Sequence, residues 1–205
     1  MTVRHAGDQV ACVDDLESYG LLTGIAPAAQ RAKILERFAQ TYSPLIGTDE
    51  VMKYLGSTGL EAMAGADILK VAPQRYASTV KYPETSLAKK LKGIAQINFA
   101  DLGSRVFYCD HLGFDTHANQ LPVHATLWND VSQAIDAFFV DLREHNAADN
   151  VLLFLFTEFG RRVRDNGSGT DHGAGGAAFV LGEAVKGGQY GEYPSRKPSD
   201  LTQGD

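Results

Sequence analysis

Three short polar segments hold the residues able to do chemistry. The first carries Asp110, His111, Asp115 and His117; the second is Glu158 followed by Arg161, Arg162 and Arg164; the third places Asp171-His172 inside the glycine-rich stretch Asn166–Gly173. Hard carboxylates beside imidazoles suit zinc, manganese or a similar divalent ion better than a soft, thiolate-seeking metal. Asp115 and His117, two residues apart, can point the same way from an extended loop, with Asp110 and His111 as weaker candidates. The competing reading of this D-x-H pattern is a histidine that only hydrogen-bonds within its own turn.

Glu158 stands directly after an apolar run, where a buried carboxylate is costly unless paired or bound to a cation. It reads either as a metal ligand or as the partner of a neighbouring arginine. Arg161 can hold an anionic substrate through bidentate hydrogen bonds. In the third segment the glycines allow close backbone approach around Asp171 and His172; the alternative there is a turn in which Asp171 caps the next segment and His172 faces water. Ser168 or Thr170 as a nucleophile would need an adjacent base or metal, and no nucleophile-elbow spacing is present. Tyr190 and Tyr193 can stack on a ligand, but tyrosines in a Gly/Pro-rich tail carry no assignment.

The elements that would position these segments follow from hydrophobic periodicity. A helix is predicted from Pro27 to the Ser43-Pro44 stop, with Ile34, Leu35 and Phe38 on one face. Thr48-Asp49 can cap a second helical stretch through Val51, Met52 and Leu55, which Gly56, Gly59 and Gly65 should break. Thr85 or Ser86 can cap a third helix whose Leu87, Leu91, Ile94, Ala95 and Ile97 face a core. Arg105–Cys109 reads as a buried strand feeding the first polar loop. Val123–His145 carries the strongest helical stripe: Leu127, Trp128, Val131, Ile135, Phe138, Phe139 and Leu142. Val151–Thr157 is predicted to be a central strand, buried on both faces, and Ala177–Leu181 a further strand. Strand, helix, strand, loop, strand in that order implies a layered α/β core with a mostly parallel sheet flanked by helices, its polar clusters gathered at strand ends. Residues 1–84 form a mainly helical, loop-rich part and residues 85–205 the α/β core segment.

Composition narrows the partners. With 205 residues, 44% hydrophobic, 21% charged and a net charge of -6 from 19 basic and 25 acidic residues, the chain has the make-up of an ordinary globular domain. The absence of a basic stripe argues against nucleic acid. The longest apolar run, Val151–Phe156, is far short of the ~20 residues of a membrane-spanning helix, and Met1–Val10 lacks a signal-peptide core. Cys12 and Cys109 are too few for a disulfide framework.

Taken together, GFDTHANQ (113–120), TEFGRRV (157–163) and NGSGTDHG (166–173), trailed by VLGEAVKGGQYGEYPS (180–195), resemble the bacterial family called domain of unknown function 1501 (DUF1501). That family is itself similar to the alkaline phosphatase and sulfatase superfamily. The resemblance starts near Tyr82-Pro83 and runs to Asp205. It implies an alkaline-phosphatase-like α/β core holding divalent metal, with Asp115 and His117 in one ligand segment, Glu158 in the next, and His172 with Asp171 in the last; zinc, manganese and calcium are the expected ions. The sequence departs from the superfamily at Glu158-Phe159, where Asp-His is usual, and at Leu112, where the family commonly has glycine. An early strand with an Asp-Gly-Gly-Asn-Asp type ligand segment, the nucleophile and the final helix have no counterpart, so the chain is expected to be an internal fragment, incomplete at both ends, of a family usually exported to the periplasm or beyond.

What this implies is a metal-dependent hydrolase of phosphate or sulfate esters, with a small anionic ester as substrate and Arg161 as its anion contact. The alternative is a non-catalytic module that binds an anion or glycan on a phosphatase-like scaffold, motivated by the loss of an imidazole at Phe159. A third reading is that these 205 residues do not fold alone, because missing strands would expose sheet edges.

Overall fold

A computed structural model describes residues 2–4, 10–13, 16, 28–43, 49–193 and 195–201. Pro27, Pro44, Thr48 and the Thr202–Asp205 end, all used in the sequence reading, lie outside the described residues, as does the side chain of Cys12. Two compact units are present: residues 1–79 with 89–110, and residues 80–88 with 111–205.

In the first unit, β1 (Thr2–Arg4) pairs antiparallel with β2 (Val10–Cys12) on one side and with β3 (Val106–Tyr108) on the other. Helix α1 (Ala28–Tyr42) and helix α2 (Glu50–Leu69) accompany it. Asp49 caps α2, its Oδ1 accepting from the Met52 amide at 2.8 Å. The expected break in α2 does not occur: the helix runs through Gly56, Gly59 and Gly65. At Gly59 the reason is visible, since a Cβ there would come within 3.1 Å of the Tyr42 ring. The helix gives up about 1 kcal/mol of intrinsic propensity where the small residue lets that ring approach. Val13, Leu16, Leu69, Ala72, Ile97 and Ala100 form the buried cluster of this unit, with Phe107 packed against it. The strand at Phe107 is therefore only one-sided: Val106 and Tyr108 are exposed, contrary to the buried strand expected.

Helix α3 (Ser86–Phe99) starts in the second unit and continues in the first. Thr85 Oγ1 accepts from the Ala88 amide at 3.2 Å, and Leu87, Leu91, Ile94, Ala95 and Ile97 are all buried, as their spacing predicts.

The second unit is organised by α4 (Gln120–Glu144), which buries Val131, Ala134, Ala137, Phe138, Phe139 and Leu142. It ends where Asn146 takes up a left-handed conformation, φ 55°. Asp141 is fully buried on this helix; the Tyr82 hydroxyl donates to its Oδ2 at 2.6 Å, and His145 Nδ1 lies 3.3 Å from Oδ1. A buried carboxylate deprived of a donor bears the desolvation cost of that lost bond. Tyr82→Phe should accordingly cost about 1–3 kcal/mol in chemical denaturation, and an unchanged midpoint would show that the other groups around Asp141 carry its charge.

The remaining strands correct the expected fold class. β4 (Leu153–Leu155) pairs antiparallel with β7 (Phe179–Leu181), and β5 (Gly160–Asp165) pairs antiparallel with β6 (Thr170–Gly173) as a separate two-stranded ribbon. Among the described residues there is no layered, mostly parallel sheet. The apolar run Val151–Thr157 misleads because only one of its faces is covered. Leu155 and Phe179 face a cavity they share with Val131, Ile135 and Phe139 of α4, and the Trp128 and Phe179 rings meet at 5.6 Å, while Leu152, Phe154 and Phe156 are more than half exposed. The βαβ inference also fails because β3 and β4, on either side of α4, belong to different sheets.

Candidate metal centre

Two chain segments far apart in sequence build the site within the second unit. The loop from Gly113 to Asn119 precedes α4, and the β5–β6 hairpin crosses it with the turn Asn166–Gly169. Asn166-Gly167 is a strong hairpin-turn signal, and Gly167 takes φ 99° there. Asn166 Oδ1 accepts from the amides of Ser168 (3.1 Å) and Gly169 (2.9 Å), closing the turn from within. The turn is stitched to the loop: Ser168 Oγ accepts from the Asn119 amide at 2.8 Å, Ser168 O from the Gln120 amide at 3.1 Å, and Thr170 Oγ1 donates to Gln120 Oε1 at 2.9 Å.

These contacts bring Asp115, His117 and His172 together, one ligand atom from each within 4.8 Å of the others. Asp115 Oδ1 lies 2.7 Å from His172 Nε2 and 3.1 Å from His117 Nε2. Tetrahedral zinc with ligands at about 2.0–2.1 Å keeps neighbouring ligand atoms roughly 3.3 Å apart; the Asp115–His117 spacing is close to that and the Asp115–His172 contact is shorter. All three side chains face solvent.

Asp171 takes a different place. Its Oδ1 lies 3.3 Å from His117 Nδ1, the ring nitrogen facing away from Asp115, and accepts from Asn166 Nδ2 at 3.1 Å. A carboxylate on the far nitrogen of a ligand histidine fixes its tautomer and strengthens it as a donor. Asp171 thus orients His117 rather than joining the three ligand atoms. Glu158 is exposed just before β5, and no described residue pairs with it, whether ligand or arginine. A carboxylate in water needs no partner. Asp110 pairs instead with Lys90 at 2.6 Å within the first unit, and His111 packs edge-on to Phe114 at 5.8 Å.

Phe159, opposite in kind to the imidazole expected by analogy, stacks on His172 with centroids 4.0 Å apart and planes 13° apart. Arg161 lies 5.2 Å from the Phe159 ring centre. Its guanidinium donates to the carbonyls of Thr170 and Phe114, the second at 2.6 Å. Sequence reasoning noted Phe159 only as a lost imidazole and Asn166 only as part of a glycine-rich stretch; it missed the stacking of the one and the turn-closing bonds of the other, and missed the hairpin although Asn166-Gly167 announces it.

The hydrogen bond from His172 holds the Asp115 carboxyl below its ordinary 3.8, with the charges of His172 and His117 acting in the same direction. Asp171 is likewise lowered, first by the Asn166 amide and then by His117. A carboxyl depressed in the folded chain contributes stability above its unfolded value and loses it as pH falls through the folded one. Carboxyl NMR titration should therefore place Asp115 below 3.8 and return it toward 3.8 in His172→Ala; an unmoved midpoint would remove His172 as the cause.

The family model described as "Protein of unknown function (DUF1501)" matches residues 49–203, well over half of the chain. The chain belongs to the DUF1501 family. The DUF1501 match takes in all of the residues that form the cluster. No curated protein and no solved structure matches the chain.

Proposed function

We propose that the protein is a metal-dependent hydrolase of phosphate or sulfate esters. The observation that carries this reading is the convergence of Asp115, His117 and His172 from a loop and a hairpin, with Asp171 behind His117. Three protein ligands with an open position are the arrangement of catalytic rather than structural zinc sites. Two imidazoles and one carboxylate favour zinc or manganese over calcium, which takes six to eight oxygens. When bound, such an ion polarises an ester oxygen and activates water. Asp115 and the two histidines would hold it, Asp171 would keep His117 in the ligating tautomer, and the N–H groups of Arg161 not given to carbonyls would meet the anion. The choice of ester follows the similarity of the DUF1501 family, which the three motifs resemble, to phosphatases and sulfatases. Among the described residues no helix is long and apolar enough to cross a membrane.

The second reading, capture of an anion or glycan without turnover, is favoured by the Phe159 ring lying flat on His172. The two separate in one experiment with 4-nitrophenyl phosphate and 4-nitrophenyl sulfate in zinc, manganese or calcium. Repeated turnover that disappears on chelation supports the hydrolase. A metal-loaded protein that releases no nitrophenol in any of them would exclude it for these esters and favour capture.

A further inference from the structure

We infer that Arg161 is a positioning residue whose guanidinium ties together the two segments supplying the metal ligands, so that ion affinity depends on a side chain that does not touch the ion. The inference rests on the metal reading above. Arg161 sits on β5 opposite His172, its register partner on β6. From there NH2 donates to Phe114 O, one residue before Asp115, at 2.6 Å, with Thr116 Oγ1 at 3.4 Å. NH1 donates to Thr170 O, one residue before Asp171. One planar cation therefore clamps the carbonyls that immediately precede both acidic residues. Phe159 extends the clamp sideways, with one neighbour in His172 and another in Arg161. Arg162 adds a parallel tie, Nε to His172 O at 3.1 Å.

The geometry specifies a guanidinium. Two carbonyls on different strands of chain are met by two nitrogens of one rigid fork, whereas a lysine ammonium is a single point on a flexible stem. The loop carrying Asp115 and His117 has no regular secondary structure of its own. Its distance from His172 is thus set by cross-links such as this one, and outer-shell partners of metal ligands are commonly worth 10–100-fold in affinity.

The test is cobalt(II) titration of the metal-free full chain, read by visible absorption and by competition with a chelator, with no substrate present. Arg161→Met and Arg161→Lys are compared with the wild type and with Arg164→Met, an exposed arginine on the same strand. We expect both Arg161 variants to bind cobalt at least about tenfold more weakly, with altered band positions in Arg161→Lys, and Arg164→Met to match the wild type. Should Arg161→Met fail to fold, by circular dichroism, Arg161→Lys decides. Wild-type affinity and spectrum in the folded variants would overturn the inference and leave the metal site standing. Collapse of both variants would overturn it too, by making Arg161 a residue of the fold. Absence of cobalt binding in the wild type would instead overturn the metal reading on which the inference rests.

Discussion

Replacing His172 with alanine is expected to weaken zinc or cobalt binding by more than about 100-fold, beyond the 10–100-fold range typical of outer-shell partners. His172 supplies one of three ligand atoms, and its Nε2 is also the partner that holds Asp115 in place at 2.7 Å. The substitution therefore removes one ligand and leaves Asp115 only the longer, 3.1 Å contact with His117 Nε2. Asp171→Ala makes the informative contrast: it leaves all three ligand atoms present and removes the acceptor shared by His117 Nδ1 and Asn166 Nδ2. Its loss should be smaller, about tenfold. His172 is exposed on a two-stranded ribbon, and its ring contacts are Phe159 and His117, so the circular dichroism of His172→Ala should match the wild type. Competition with a chromophoric chelator measures all three proteins on one scale. Equal affinity in His172→Ala and wild type would remove the cluster as a metal site.

How much of this was legible in the sequence depends on the range of the interaction involved. α4 was readable because Val131, Phe138, Phe139 and Leu142 recur at helical spacing, and the caps at Asp49 and Thr85 because a side-chain oxygen reaches an amide three residues on. Those are local rules. Asp115, His117 and His172 were readable as candidates, carboxylates and imidazoles in polar loops, and the structure brings the three together. Their partners were not. That Asp171 meets the back of His117, and that Arg161 reaches two carbonyls, follows from the register in which Arg161 faces His172 across β5 and β6, information no single segment contains. The parallel sheet was misjudged for the same reason: continuous hydrophobicity at Val151–Thr157 specifies a strand, but not how many of its faces are covered. The pleat alone puts Phe154 and Phe156 on the side opposite Leu153 and Leu155.

Gly160 should tolerate no side chain, and Gly160→Ala is expected to damage fold and site together. A Cβ at Gly160 would lie 2.1 Å from Gly175 O, 2.5 Å from Gly175 C and 2.8 Å from Gly173 O. All three are backbone atoms, so no rotamer change relieves the overlap; β5 must move away from the 173–175 segment by about an ångström to reach ordinary van der Waals separation. Two interactions lie in the path of that movement. One is the Arg161 amide to Gly175 O bond of 2.9 Å, and the other is the register that sets Gly160 against Gly173 and Arg161 against His172. Overpacking of this kind costs about 1–3 kcal/mol, and more where nothing can give. The displacement also exceeds the roughly 0.5 Å tolerance of a preorganised site, so cobalt binding should fall with stability rather than independently of it. Gly187→Ala supplies the control, because a Cβ there meets nothing within 4 Å and should change neither quantity. Urea denaturation and cobalt titration of the two variants read the two effects. A Gly160→Ala protein as stable and as tightly metal-binding as the wild type would mean that β5 and the 173–175 segment do not approach as closely as the geometry requires. The Arg161–His172 register would then lose its structural basis.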